Sequence, residues 1–267
     1  MELKTKFYAL LPPVNMPERG GVKTDLSKFY PAAKQIFIAL FPYWNSQLPP
    51  ELLNLSVGDW LKLRELRGDP SPNFDYSFLT TAKVSRYARG RDYHKTIKKY
   101  LREILDFVKT AAPGADGKIF IDTSSNMAEK RLAASAGLGK QGKNTLLINE
   151  NLGSYFFIGG IVFNAEVSRL FPAPEKTETK LLCSNCRLCI SACPTGALAE
   201  NGVDGNKCLA RWNTQTKENI PPEFLPFLAR AAQGCDICQE VCPHNLRAAP
   251  SEILEEMLPL NLNPGPL

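Results

Sequence analysis

Eight cysteines, all lying between positions 183 and 242 of a 267-residue chain, constrain this sequence more than any other feature. The first four read Cys183-x-x-Cys186-x-x-Cys189-x-x-x-Cys193-Pro194. This is the bacterial ferredoxin spacing, in which three thiolates reach one 4Fe-4S cubane and the fourth ligates its neighbour. The second run, Cys235-x-x-Cys238-x-x-x-Cys242-Pro243, keeps the end of that pattern, and its first cysteine is displaced upstream to Cys208. Cross-ligation then assigns Cys183, Cys186, Cys189 and Cys242 to one cluster, and Cys193, Cys208, Cys235 and Cys238 to the other. Cys-x-x-Cys pairs also build tetrahedral zinc sites. Zinc modules, however, need neither three cysteines at consecutive two-residue gaps nor the Cys-Pro that follows. Two 4Fe-4S clusters, and an electron-transfer role with them, are therefore expected. The prolines end the ligand loops, and Cys193-Pro-Thr-Gly-Ala-Leu is expected to lead into a short helix.

Thiols free to hold iron imply a reducing compartment. The opening Met-Glu-Leu-Lys-Thr-Lys carries both charge signs and lacks the apolar run and cleavage site of a secretory leader. No stretch approaches the roughly 20 apolar residues that span a bilayer. A cytoplasmic location without membrane contact is the expectation. Basic residues number 32 against 27 acidic, and the net charge of +5 tilts the chain toward polyanionic partners.

The chain changes character near residue 178. No cysteine precedes Cys183, and Phe171-Pro-Ala-Pro-Glu-Lys-Thr-Glu-Thr-Lys180 has the proline and charge content of a connector. The expected division is 1–178, 179–249 and a short tail, 250–267. The first part reads as α+β, with strand-like runs at Gln35 to Phe41, Lys118 to Ile121, Asn144 to Ile148 and Ser154 to Phe163. The spacing of Ile97, Leu101, Ile104, Leu105 and Val108 predicts a helix from Tyr93 to Thr110. A second helix is expected after Asn126, which can cap with Glu129, and it stops at Gly137. Eight basic residues with interleaved tyrosines crowd positions 83–102. Lys98, Lys99 and Arg102 fall opposite the apolar stripe and read as a solvated face. Arg86, Arg89 and Arg91 precede the helix and are the better candidates for phosphate contacts. His94 is one of two histidines, flanked by Asp92 and Tyr93.

Four segments together resemble the epoxyqueuosine reductase family: Ser85-Arg-Tyr-Ala-Arg-Gly-Arg-Asp-Tyr-His94, Ala136-Gly-Leu-Gly-Lys-Gln-Gly-Lys-Asn144, Gly153-Ser-Tyr-Phe-Phe-Ile158 and Gly234-Cys-Asp-Ile-Cys-Gln-Glu-Val-Cys-Pro-His-Asn245. The resemblance spans most of the chain. It implies a nitroreductase-like, cobalamin-processing-type α/β sandwich at 1–178 that binds cobalamin and substrate, followed by a bacterial two-cluster ferredoxin-like domain at 179–249. It implies cobalamin as cofactor beside the clusters, with Ser85, Asp92, His94, Asp122, Asn144 and Asp236 as cofactor-binding residues. It implies reduction of epoxyqueuosine to queuosine in tRNA, gripped through segment 83–102, with electrons from a low-potential donor and a monomeric enzyme.

A leaving alkoxide is too basic to depart unaided, and a positioned acid is worth roughly 100-fold or more in rate. The family's proton donor follows a strand, and the matching position is Asp122 at the end of Lys118-Ile-Phe-Ile-Asp122. A plainer role for Asp122 is to cap the helix that follows. The sequence departs from the family at Asp122-Thr-Ser-Ser-Asn-Met-Ala-Glu-Lys130, which lacks the usual proline and runs one residue longer. The opening before Pro31-Ala-Ala is also shortened, and the chain leaves no room for the helical-repeat extension of longer members. A corrinoid-dependent reductase of a small organohalide or epoxide is an alternative reading, as is an electron carrier or corrinoid activator.

Overall fold

The computed structural model describes residues 3–19, 22–44, 56–66, 82–122, 127–174, 180, 183–216, 218–248, 253–254 and 257–258. The expected boundary at 178 and the capping role of Asn126 fall outside these residues. The strands in chain order are β1 (Tyr8–Leu11), β2 (Met16–Arg19), β3 (Val22–Thr24), β4 (Gln35–Pro42), β5 (Gly117–Ile121), β6 (Lys140–Gln141), β7 (Leu147–Ile148), β8 (Phe156–Phe163), β9 (Leu198–Ala199) and β10 (Gly202–Val203). The α-helices are α1 (Leu26–Phe29), α2 (Val57–Leu66), α3 (Tyr93–Ala111), α4 (Glu129–Ser135), α5 (Leu188–Ala192), α6 (Leu209–Thr214), α7 (Ile237–Glu240) and α8 (Pro243–Arg247).

A four-stranded antiparallel sheet in the order β1-β4-β8-β5 forms the centre. All eight residues of β4 are buried, because both faces of the sheet are covered. Alternate side chains go to opposite faces. Phe37, Ala39 and Phe41 pack with Ile161 and Phe163 against Ile97, Leu101, Ile104 and Val108 of α3. On the other face Ile36, Ile38 and Leu40 pack with Val162 and Phe120 against Leu132 and Ala133 of α4. The result is the expected α+β sandwich. The edge strand β1 was not legible in the sequence, since four residues are too short a run to show periodicity.

Helix α3 is close to its expected span, and its exposed face carries Lys98, Lys99 and Arg102. Helix α4 begins at Glu129 behind Ala128 rather than directly after Asn126. It ends as expected, with Gly137 N–H donating to the Ala134 carbonyl and Leu138 N–H to the Ala133 carbonyl, the paired bonds of a Schellman stop. The strand expected from Asn144 shrinks to β7, because residues 142–146 form the loop that joins it to β6.

The cysteine region consists of short pieces. The helix expected after Cys193-Pro is absent. Gly196 turns the chain at φ 61°, Ala197 N–H donates to Cys193 Sγ at 3.3 Å, and the β9–β10 hairpin follows. A helix does follow Cys242, starting at Pro243. Helices α5 and α7, each running on from a Cys-x-x-Cys pair, pack against each other.

The two regions interlock. Ala232 N–H donates to the Lys83 carbonyl, Ser85 N–H donates to the Gln233 carbonyl, and Ala232 packs with Val57, Trp60 and Val84. Ser154 Oγ lies 3.0 Å from Gln239 Oε1, and Ser154 N–H donates to Asn245 Oδ1 at 2.6 Å. Met257, in the segment expected as a tail, is buried in the α3 side of the sandwich core.

Candidate active site and cluster ligands

Strand β5 hands the chain directly to Asp122, whose φ of 41° is in the left-handed region. Such a conformation is uncommon outside glycine and concentrates at functional sites. The residue at the N-cap of α4 is Ala128. The hydroxyl of Tyr93 donates to Asp122 Oδ2, and His94 Nε2 lies 4.0 Å from the same oxygen. The Asp122 side chain is 42% exposed and that of His94 is 39% exposed, so the pair faces outward. Helix α3 positions both partners from its first turn. Asp92 caps the helix by accepting from His94 N–H at 3.0 Å, and its Oδ1 lies 3.2 Å from His94 Nδ1. The Tyr93 ring stacks on Phe157, with centroids 3.8 Å apart and planes at 7°, and on His94 at 4.0 Å. Burial, reinforced by the charge of Asp122, holds the Tyr93 phenol well above its ordinary pKa of 10. Tyr93 therefore remains a hydrogen-bond donor at any physiological pH. The arrangement presents the Asp122 carboxyl, fixed by the Tyr93 hydroxyl, to a group arriving from outside.

The thiols acting on Cys189 and Cys242 are the ones expected with them, while Cys238 has Cys189 of the other expected set among its neighbours. Burial raises the Cys189 thiol, with Cys183, Cys186 and Cys242 the neighbouring thiols that add to the shift. Burial likewise raises Cys242, whose contributing thiol neighbours are Cys183 and Cys186. In the second set burial pushes Cys235 up to about 12, with Cys208 and Cys193 adding to it. Cys238 is raised still more, again chiefly by burial, with Cys235 first among the thiols near it. All eight cysteines are free of disulfides. Cys242 is buried and the other seven thiols are half-buried, a donor set that suits a cationic iron core, which would hold them as thiolates. The first set also lines a cavity with Lys143, Asn144 and Ile148.

An ion-pair network joins Ser85 and Arg86 to Asp236 and Glu240 of the cysteine region. Ser85 Oγ donates to Asp236 Oδ1, and Arg86 N–H donates to Asp236 Oδ2 at 2.7 Å. Arg86 Nη1 reaches Asp236 at 3.2 Å and Glu240 at 2.8 Å, and the guanidinium lies 4.8 Å from the Trp44 ring and 5.1 Å from that of Tyr155. Burial works against this charge, but Tyr155, Asp236 and Glu240 outweigh it and the Arg86 pKa is raised. Gly234, at φ 70°, lets the cysteine loop approach closely, because a Cβ there would stand 2.6 Å from the Ser85 Cβ.

These contacts correct part of the sequence reading. Arg86 and Arg89, expected to meet phosphate, are internal. Arg89 is 3% exposed and donates twice to the Val84 carbonyl, and burial lowers its pKa to about 10. Arg91 alone of the three is exposed. Of the residues expected at cobalamin, Asp92, His94 and Asp122 come together at one edge. Ser85 and Asp236 meet each other in the network, and Asn144 lies at the first set of cysteines. Tyr93, a neighbour of His94 and an alternative acid in the sequence reading, is the residue that holds Asp122; its place one residue after the cap was the available signal.

Fold and cysteine spacing define an iron–sulfur protein in which a ferredoxin-type module is joined to an α+β sandwich. Residues 182–245 match the 4Fe-4S double cluster binding domain, and residues 66–123 match the family described as epoxyqueuosine reductase QueG, DUF1730. An epoxyqueuosine reductase from Francisella cf. novicida is 40% identical over 231 residues, covering 86% of this chain and 58% of that protein. The chain thus carries a domain of the epoxyqueuosine reductase QueG family. It spans a little over half the length of the curated relatives it matches. Among solved structures, an epoxyqueuosine reductase with a tRNA-Tyr epoxyqueuosine-modified tRNA stem loop superposes with a TM-score of 0.68 at 22% identity, covering 94% of this chain and 64% of that one. A Bacillus subtilis epoxyqueuosine reductase, described with its aspartate catalytic loop swung out of the active site, gives 0.62 at 24% identity, covering 87% and 54%. At these identities the superpositions establish the shared fold.

Proposed function

We propose that this chain is a cobalamin-dependent iron–sulfur reductase that converts epoxyqueuosine to queuosine in tRNA, with Asp122 as the proton donor. The observation that carries the proposal is the outward-facing carboxyl of Asp122, held by the Tyr93 hydroxyl beside His94. Removing an epoxide oxygen as water consumes two electrons and two protons. Bound cobalamin, on which the family depends, would supply the electrons at the reacting carbon. Asp92, His94 and Asp122 are the residues that would meet the cofactor and substrate at this edge, and their partial exposure fits a group that enters from outside. Tyr93 donates to one carboxyl oxygen of Asp122, which leaves the other to carry the proton. His94, tethered to Asp92, can return a proton to Asp122 between turnovers.

In this reading residues 1–178 bind cobalamin and substrate and 179–249 relay electrons from a low-potential donor, with Met257 beyond them packed into the sandwich core. The exposed cations Arg91, Lys95, Lys98, Lys99 and Arg102 lie along α3 and its approach, where the phosphates of a tRNA stem would pass. No helix among the described residues is long and apolar enough to cross a membrane. The test is the nucleoside content of tRNA from cells lacking the gene. Accumulation of epoxyqueuosine, reversed by the parent gene but not by an Asp122→Asn copy, is expected. Normal queuosine in the deletion strain would overturn the proposal.

A further inference from the structure

Asn144 is 5% exposed, and its side-chain Nδ2 is buried without a hydrogen-bond partner among the described residues. A buried amide left unpaired costs about 1–3 kcal/mol, and such groups call for a specific explanation. The orientation of the amide is fixed by its other end. Oδ1 accepts the Leu146 N–H at 3.3 Å, so the nitrogen must be the atom left over. The residue lines the same cavity as Cys183, Cys186, Cys189 and Cys242.

The loop is built to hold it there. Residues 142–146 join β6 to β7, closed by Gly142 N–H donating to the Leu146 carbonyl, and Thr145 takes a φ of 64°. A Cβ on Gly142 would stand 2.9 Å from Asn144 Oδ1, so a larger residue there would displace the amide. Next to it, Lys143 Nζ donates to the carbonyls of Ser184 and Cys186 at 3.2 and 3.1 Å and pairs with Glu200 at 2.9 Å. That lysine clamps the cysteine loop onto the Asn144 loop.

We infer that Asn144 Nδ2 donates a hydrogen bond to a sulfur of the 4Fe-4S cluster held by Cys183, Cys186, Cys189 and Cys242, and so raises the reduction potential of that cluster relative to the other. The missing partner of the amide is then the cluster itself, whose sulfurs accept more strongly after reduction adds negative charge. Hydrogen bonds to the sulfurs are among the main controls of cluster potential. The inference concerns the cluster alone and stands whether or not tRNA is the substrate.

The experiment is an anaerobic redox titration of the protein with both clusters loaded, followed by electron paramagnetic resonance, on the parent and on Asn144→Leu and Asn144→Ser. In Asn144→Leu one of the two midpoints is expected to move to more negative potential while the other stays in place, with iron content unchanged. Asn144→Ser, which keeps a donor, is expected to lie between the two. In parent protein carrying 15N in the asparagine side chains, the reduced cluster is expected to show a nitrogen coupling that is lost in Asn144→Leu. Unmoved midpoints, equal shifts of both clusters, or loss of iron with no nitrogen coupling in the labelled parent would each overturn the inference.

Discussion

In the sandwich, Phe37, Ile38 and Leu40 have no exposed surface, and α3 lays a continuous apolar stripe across one face of the sheet. In the cysteine region no described helix exceeds six residues, and the buried apolar cluster reduces to Leu209, Phe224, Leu228 and Ala231. The first region excludes enough apolar surface from water to hold itself together. The second does not, and its order must come from bonds to iron, in the manner of small metal-organised modules. The ion pairs of Arg86 and the bonds of Ser154 tie this metal-dependent piece to the self-sufficient one.

The largest expected effect follows from removing the metal. Stripping iron with a chelator under reducing conditions should expose residues 183–248 to limited proteolysis while the sandwich fragment persists. Intact resistance of both regions would erase the distinction. Cys242→Ala should lower iron from about eight to about four per chain, because cross-ligation ties Cys242 to the cluster of Cys183, Cys186 and Cys189.

Next in size is the join. Asp236→Ala leaves the Arg86 cation without its most buried partner, and breaking a buried pair from one side costs about 3–5 kcal/mol. The denaturation midpoint should fall accordingly, with the cysteine region separating first in hydrogen exchange. A change confined to the sandwich would show that the network does not join the regions.

Asp122→Asn tests chemistry instead of folding. It should keep both clusters and the parent stability, yet lose about 100-fold or more in epoxide reduction, since an amide can hydrogen-bond but cannot give up a proton at useful cost. Turnover near the parent rate would pass the role to Tyr93 or His94. Arg91→Ala should act only on tRNA affinity, lowering the slope of log K against log salt by about 0.7–0.9 if it meets one phosphate.

The smallest effect belongs to Glu129. Burial, assisted by the charge of Asp122, raises its pKa above the ordinary 4.5. The folded chain therefore binds this proton more tightly than the unfolded chain, and stability falls as pH rises from about 4.5 through the folded pKa. Glu129→Gln should flatten that decline and make the protein slightly more stable at pH 7 than the parent. An unchanged or lower midpoint at pH 7 would contradict it.

The double-cluster cysteine region, the helix of Tyr93 and the strand leading to Asp122 were all written in local spacing. A cubane needs thiolates at set intervals, and an amphipathic helix needs its period, so neither depends on distant residues to be recognised. What Arg86, Arg89 and Asn144 do was decided only in three dimensions. Arg86 meets Asp236 across 150 residues of chain, and Arg89 turns inward to the Val84 carbonyl under Trp44. A run of arginines reads as a charged surface until packing shows which of them are covered. The left-handed turn that sets Asp122 beside Tyr93 is equally silent in the sequence, because no glycine marks it. Spacing specifies what a segment can bind or become, whereas burial, which depends on every element packed around it, decides which charges remain free to act.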